Sequence, residues 1–405
     1  MTPAIFLKKG REASVQRFHP WIFSGAVAQK QGALTEGALV DVYSADKNYL
    51  ATGHFQEGSI TVRILSFEGP GLPNDFWSQA LRNAYLLRER LGLCGKDNAP
   101  TTAYRLVHGE GDHLPGLVID YYQGVAVIQT HSAGMFLARN EIVKALQVLY
   151  GNDLLAVYDK SASTAPFKAG LNLQDGYLYK STHPNGLNFS SLDFTILENS
   201  FRYFPDWELG QKTGFFLDQR ENRALLKQMA NGAQLLNLFC YSGGFSVSAL
   251  GGGAALVHSV DSSQRAIHLL QQNIAMNFPA DHRHDSFTAD AFEFLKNSKK
   301  GAYNLMVLDP PAFAKHTDAK KSALQAYKRL NAVAIDRIAP GGIIFTFSCS
   351  QVVDKNDFAL AVFSAAAISG RRVRILHRLG QAPDHPVNMY HPEGDYLKGL
   401  VLYVE

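Results

Sequence analysis

The chain has 405 residues, 46% hydrophobic and 19% charged, with a net charge of +3. That length exceeds one ordinary core and predicts two or three domains, while the lack of any run of about 18 uncharged apolar residues excludes a membrane-spanning helix and a membrane partner from the reading. Three widely separated cysteines, Cys94, Cys240 and Cys349, fit neither a disulfide framework nor paired zinc-ligand spacing, so no metal is expected and a reducing compartment, the cytoplasm, is.

Charges in MTPAIFLKKGREASVQRF fall where a signal peptide would carry its apolar core, so no secretion signal is read. Residues 1–70 read as short strands, WIFSGAV, GALVDVYSA, YLATGHF and SITVRILSF, which suggests a small β-barrel or sandwich. The same stretch opens with Lys8, Lys9, Arg11, Arg17 and Lys30 against a single Glu12. Such a cluster supplies phosphate contacts in nucleic-acid binders, although a solvated face has the same composition.

EGPGLPND (68–75) has the composition of a linker. Residues 71–190 mix two amphipathic helices, DFWSQALRNAYLLRERLGL and FLARNEIVKALQVLYG, with a hairpin pair in YRLVHGEGDHLPGLVIDYYQGVAVIQTHS. A small α+β domain follows, with a turn-rich exit at STHPNGLN (181–188). From about 191 to 405, short apolar runs alternate with helical segments, which predicts a parallel, doubly wound α/β sheet with helices on both faces. A second basic cluster, Lys315, Lys320, Lys321, Lys328 and Arg329, reads best as a helix face.

NLFCYSGGFSV (237–247) follows a predicted strand and opens a helix. Gly243 and Gly244 let the backbone approach a ligand there, although a lone glycine pair is often only a tight turn. The next strand ends in Asp261, where Rossmann-like folds bind the ribose hydroxyls of an adenosine. The third ends in Asp290-Ala291, beside the expected adenine position. One acidic strand end can be mere helix capping, but three suitable strand ends on one carboxyl edge argue for a site. The fourth ends in Asp309-Pro310-Pro311-Ala312-Phe313, a rigid turn with one acceptor carboxylate and an aromatic ring, suited to a planar base.

FTFSCSQ (345–351) ends the fifth strand in Cys349, on the same edge as Asp309. Cytosine C5 is a poor nucleophile until a thiolate adds to C6. The ring then becomes enamine-like at C5 and attacks an electrophilic methyl group. This chemistry requires a cysteine beside the methyl donor and a polar group on the N3/N4 edge of the base. The bland reading of a lone cysteine is a small buried hydrophobe, which Cys94 and Cys240 are expected to follow. GQKTGFFLDQRENR (210–223) offers Lys212, Thr213, Asp218, Gln219 and Arg220 to a donor or to RNA, and spacing does not separate this from a well-capped surface helix.

HPWIFSGAV, GQKTGFFLDQR, LNLFCYSGGF, LDPPAF, FSCS and DHPVNMYHPEGDYLKG, in this order, resemble the bacterial 23S ribosomal RNA (cytosine-C5) methyltransferases of the RlmI type. The resemblance spans essentially the whole chain. It implies an RNA-binding PUA domain over 1–70, a central α+β domain over 71–190 and an S-adenosylmethionine-dependent, Rossmann-like class I methyltransferase domain over 191–405. It also implies 23S ribosomal RNA as partner and admits a homodimer. Cys349 matches the family's nucleophile and Asp309 the aspartate at the target base, with Pro310 and Phe313 beside it. The donor loop covers Asn237, Phe239, Tyr241 and Gly243. Asp261 with Ser262 matches the ribose position and Asp290 with Ala291 the adenine position. Thr213, Gln219 and Arg220 fall in the donor-side segment, and Lys8, Lys9 and Arg11 on the RNA side. Pro311 stands where many RNA cytosine-C5 methyltransferases carry a second cysteine, so the base that removes the C5 proton stays open.

Rival readings are methylation of a guanine or an exocyclic amine, which needs no cysteine, and a non-catalytic RNA-binding assembly factor. A dinucleotide oxidoreductase is disfavoured by the glycine spacing of NLFCYSGGF.

Overall fold

The structure is a computed structural model that describes residues 3–95, 99–166, 170–182, 194–314 and 316–405. Lys315 and residues 183–188 of the expected exit turn lie outside the described residues. The chain forms two compact units: one holds residues 1–196, 205–217 and 383–394, the other 197–204, 218–382 and 395–405. Among the described residues no helix is long and apolar enough to cross a membrane.

In the first unit, alternating β-branched and aromatic residues build a six-stranded sheet from Ala4–Leu7 to Ile60–Ser66. Its inward positions, among them Ile5, Val40, Val42 and Val62, are fully buried and form one apolar core. WIFSGAV splits at a short 3-10 turn over Ser24–Ala26 into strands Trp21–Phe23 and Val27–Gln31. The expected hairpin pair of the central region is three strands, Ala103–His108, Leu117–Tyr122 and Val125–Thr130. Ala156–Asp159 and Gly176–Lys180 complete a five-stranded sheet. Helices Phe76–Arg90 and Arg139–Tyr150 contribute Leu81, Ile142 and Leu146 to its core.

The second unit holds a seven-stranded sheet. Its strands are β1 (Gln234–Leu238), β2 (Leu256–Asp261), β3 (His284–Thr288), β4 (Leu305–Leu308), β5 (Gly342–Ser348), β6 (Val373–Leu379) and β7 (Lys398–Val404), ordered β3-β2-β1-β4-β5-β7-β6. Interleaved with them run helices α1 (Arg220–Met229), α2 (Gly244–Gly251), α3 (Gln264–Asn277), α4 (Ala291–Asn297), α5 (Lys320–Arg337) and α6 (Lys355–Ser369). β1 and β4 are nearly continuous apolar runs because helices cover both faces of a parallel sheet. β7 pairs antiparallel with β5 and β6, which corrects the all-parallel expectation. The first five strands place their carboxyl ends along one edge, and β4 lies beside β5 in parallel register, Leu308 opposite Thr346.

Candidate active site

The turn after β1 is locally strained. Phe239 (φ +59°), Tyr241 (+45°) and Gly243 (+81°) alternate into left-handed backbone, which costs on the order of 1 kcal/mol or more at each non-glycine residue. Three contacts hold it: Cys240 N–H donates to Val260 O at 3.1 Å, Gly243 N–H to Cys240 O at 2.8 Å and Tyr241 N–H to Asp261 Oδ2 at 3.0 Å. Only glycine fits at 243, since a Cβ there would sit 2.7 Å from Leu270 Cγ. Asn273 Nδ2, on α3, donates to Ser242 O at 2.8 Å and supports the turn from behind.

Asp261 ends β2, and its Oδ1 also accepts the Ser263 N–H at 2.9 Å. Ser262 beside it is exposed. Asn237 Nδ2 donates to Ser246 Oγ at 2.8 Å, while its Oδ1 is buried without a hydrogen-bond partner among the described residues. Asp290 is the N-cap of α4, its Oδ1 accepting the Glu293 N–H at 2.8 Å, and Ala291 is buried as the first helical residue.

Across the sheet edge, Gln219 Nε2 donates to Asp309 Oδ2 at 3.0 Å. Asn222 Nδ2 donates to Gln219 Oε1 at 2.6 Å and fixes the amide's orientation. Burial, and secondly the nearby Asp218 carboxylate, push the Asp309 pKa up to about 7, against the opposing pull of Gln219 and Arg223. Asp218 accepts the Tyr396 hydroxyl on Oδ2 at 2.6 Å, and its Oδ1 is buried without a partner among the described residues. Arg220 is buried and pairs with Glu221 at 3.2 Å. Arg223 and Glu198 form a buried bidentate pair at 2.6 and 2.7 Å, which packs the arginine stem against Gly244.

Cys349 follows β5 and is half-buried, with Sγ 4.0 Å from Pro310 O, so the structure brings it together with the Asp309 turn. Ser350 ties the two loops further, its Oγ accepting the Ala314 N–H at 3.4 Å and lying 2.9 Å from the Tyr327 hydroxyl. The Phe313 ring packs on Tyr327, with centroids 4.7 Å apart, so its contact partner is this core tyrosine. Burial, and then Asp261, raise the Cys240 thiol well above its ordinary pKa; burial foremost raises Cys94. Both shifts disfavour the thiolate form at neutral pH.

Lys398, unremarked by motif reading except as part of GDYLKG, is buried, and its Nζ donates to Ser350 O at 2.6 Å and Tyr396 O at 2.7 Å. Glu198 and Asn273 were equally invisible in the sequence, because their roles depend on contacts far along the chain.

The predicted residues Lys8, Lys9, Arg11, Lys212 and Thr213 belong to the first unit. Lys8, Lys9 and Arg11 are exposed. Thr213 is fully buried, donating from its hydroxyl to Asp120 Oδ2 at 2.5 Å and accepting from Tyr122 at 3.2 Å.

The sequence pattern of the S-adenosylmethionine-dependent methyltransferases matches residues 104–397, and that of PUA-like domains matches residues 5–67. Ribosomal RNA large subunit methyltransferase I of Aeromonas hydrophila is 38% identical over 99% of each chain. The proteins of that name from Photobacterium profundum and Escherichia coli are 36% and 35% identical over the full length of both chains. Among solved structures, a Streptococcus mutans protein assigned as a SAM-dependent methyltransferase superposes with a TM-score of 0.81 at 23% identity, covering 99% of this chain and all of that one. A further chain, assigned as a methyltransferase and complexed with SAH, reaches 0.82 at 23% identity, covering 99% of this chain and all of that one. These two likenesses establish the fold. A homodimer gains no support from any of these relatives.

The residues fit the group this family uses. S-adenosylmethionine carries hydrogen-bond donors on its ribose and on its α-ammonium group, and Asp218 and Asn237 each keep a buried acceptor oxygen without a partner among the described residues. The chain depends on S-adenosylmethionine and carries an N-terminal PUA-like domain, and it belongs to the S-adenosylmethionine-dependent methyltransferases as a member of the ribosomal RNA large subunit methyltransferase I family.

Proposed function

We propose that this chain methylates C5 of a cytosine in 23S ribosomal RNA through a covalent adduct between Cys349 and C6. The observation that carries the proposal is Cys349 Sγ 4.0 Å from the Pro310 carbonyl, one residue beyond Asp309. The relatives' names support ribosomal RNA as substrate. A ribosomal RNA substrate implies the cytoplasm.

S-adenosylmethionine supplies an electrophilic methyl group. The 237–243 turn with Asp261 and Ser262 would hold its ribose end, Asp290 and Ala291 its adenine end, and Asp218 with Gln219 and Arg220 its amino-acid end. Cys349 Sγ bonds to C6 of the cytosine, and the electron pair displaced from the C5–C6 bond makes C5 nucleophilic. After C5 gains the methyl group, water or another base takes the C5 proton, the C5–C6 double bond re-forms as the thiolate departs, and the proton lent to N3 is returned. With its pKa near 7, Asp309 holds a proton over part of the neutral range and can donate it to N3, which eases thiolate addition. Pro310 stiffens the turn that carries this carboxyl.

In this reading residues 1–70 are the RNA-binding PUA-like domain, 71–190 a central α+β domain and 191–405 the catalytic domain. Lys8, Lys9 and Arg11 supply phosphate contacts. A target base must leave its stack to reach Cys349.

The test is transfer from labelled S-adenosylmethionine to unmodified ribosomal RNA, followed by nuclease digestion and nucleoside mass spectrometry. Labelled 5-methylcytidine is the expected product. Label on guanosine or adenosine alone would overturn the cysteine chemistry and leave the Asp309 turn as the centre of an amine-directed reaction.

A further inference from the structure

One buried cation beside the reacting cysteine has no part in the chemistry above. Lys398 opens β7, and antiparallel pairing sets it directly opposite Ser348, the residue before Cys349. It is 3% exposed. Its Nζ donates to the carbonyl of Ser350, the residue after Cys349, at 2.6 Å, and to Tyr396 O at 2.7 Å. The lysine therefore grips the backbone on both sides of the cysteine.

Two carbonyl acceptors do not explain the charge. A neutral amide would satisfy them, and burying an ammonium costs several kcal/mol unless an anion faces it. An ammonium has three N–H donors, and two are committed to carbonyls. The other charged groups around Lys398 are Asp395, three residues before it, and Asp354 and Lys355 at the start of α6. Lys355 is itself paired with Asp395. The Tyr327 hydroxyl of α5 lies 2.9 Å from Ser350 Oγ, next to the cysteine, and burial raises its pKa above the ordinary value. The Cys349 thiol adjoins the Ser350 carbonyl that Lys398 holds, and as a thiolate it would give the buried charge an anionic partner.

We infer that Lys398 is the cation that holds Cys349 as a thiolate, a positioning residue that acts through the cysteine. The inference rests on reading Cys349 as the nucleophile. Burial lowers Lys398 to about 8, with Cys349 the foremost of the groups opposing that fall, so the ammonium is present at and below neutral pH and fades above it. A cation so placed lowers a thiol pKa by about one unit or more.

The experiment is iodoacetamide alkylation of the full-length chain across pH, read at the Cys349 peptide by mass spectrometry. The wild-type midpoint should fall below the ordinary thiol value of about 8.5. In Lys398→Met it should rise by about one unit, giving alkylation about 10-fold slower at pH 7 with an unchanged plateau at high pH. Lys398→Arg should restore part of the shift. A wild-type midpoint at or above the ordinary value overturns the inference and needs no variant to fold. So does a Lys398→Met midpoint equal to wild type, with all rates scaled alike, because that is what a purely structural lysine would give. The readout is alkylation, so a missing 5-methylcytidine product would reject the cytosine reading while the midpoint still judges Lys398.

Discussion

Cys349 Sγ lies 4.0 Å from the backbone carbonyl of Pro310, although 39 residues separate them in sequence. The contact follows from β4 and β5 pairing side by side in parallel, so that the loops leaving both strands rise from the same edge. It joins the Cys349 thiol to the turn that carries Asp309.

Replacing Cys349 with alanine should reduce 5-methylcytidine formation by about 10³-fold or more. Affinity for S-adenosylhomocysteine should change little, since the proposed role of Cys349 is at the base and not at the donor. Nucleoside analysis and calorimetry check both halves. Retained turnover would remove Cys349 from the mechanism.

Asp309→Asn should separate activity from stability. The folded carboxyl has a pKa of about 7 and the unfolded one about 4, so the folded state binds the proton more tightly. Stability from this group is complete below about pH 4, falls as pH rises toward 7 and stays low above it. The asparagine variant should therefore melt higher than wild type at pH 8 and nearly the same at pH 4.5. Allowing for the half-buried position of Asp309, the gain is about 1–3 kcal/mol. Activity should fall by about 10²-fold. The alkaline limb near pH 7 in kcat/KM should vanish with the carboxyl. Equal melting curves at pH 8 would contradict the raised pKa.

Asp261→Ala should weaken S-adenosylhomocysteine binding by about 10-fold or more, for two reasons. The carboxylate proposed for the ribose hydroxyls is lost, and the Tyr241 and Ser263 amides lose the acceptor that shapes the strained turn. Calorimetry measures the change, and RNA affinity should stay within about twofold. An unaltered donor affinity would exclude Asp261 from the site.

The triple change Lys8→Ala, Lys9→Ala and Arg11→Ala should flatten the salt dependence of RNA binding. Each phosphate contact contributes a slope of about −0.7 on single strands, so loss of three should change it by about 2. Fluorescence anisotropy at several salt concentrations gives the slope. If it does not move, these side chains are a solvated face only.

Much of the second unit is legible in the sequence because parallel strands covered on both faces must be apolar throughout, and QLLNL and LMVL have no other use. The same logic fixes the carboxyl-edge positions of Asp261, Asp309 and Cys349, since a residue just past a strand end lies on that edge once strand direction is known. β6 is hard to read because most of its residues are exposed and Arg374, His377 and Arg378 break its apolar pattern, and β7 because its antiparallel direction breaks the strand-helix rhythm. Three further relationships exist only in the folded chain. Gln219 meets Asp309, Arg223 meets Glu198, and Lys398 spans Cys349 through Ser348 and Ser350. Each joins segments from 25 to 90 residues apart or across an antiparallel register. Local patterning determines which residues form strands and where each strand ends. Strand order and burial decide which ends meet, and so whether Asp309 keeps its proton near pH 7 and whether a lysine stands beside the cysteine.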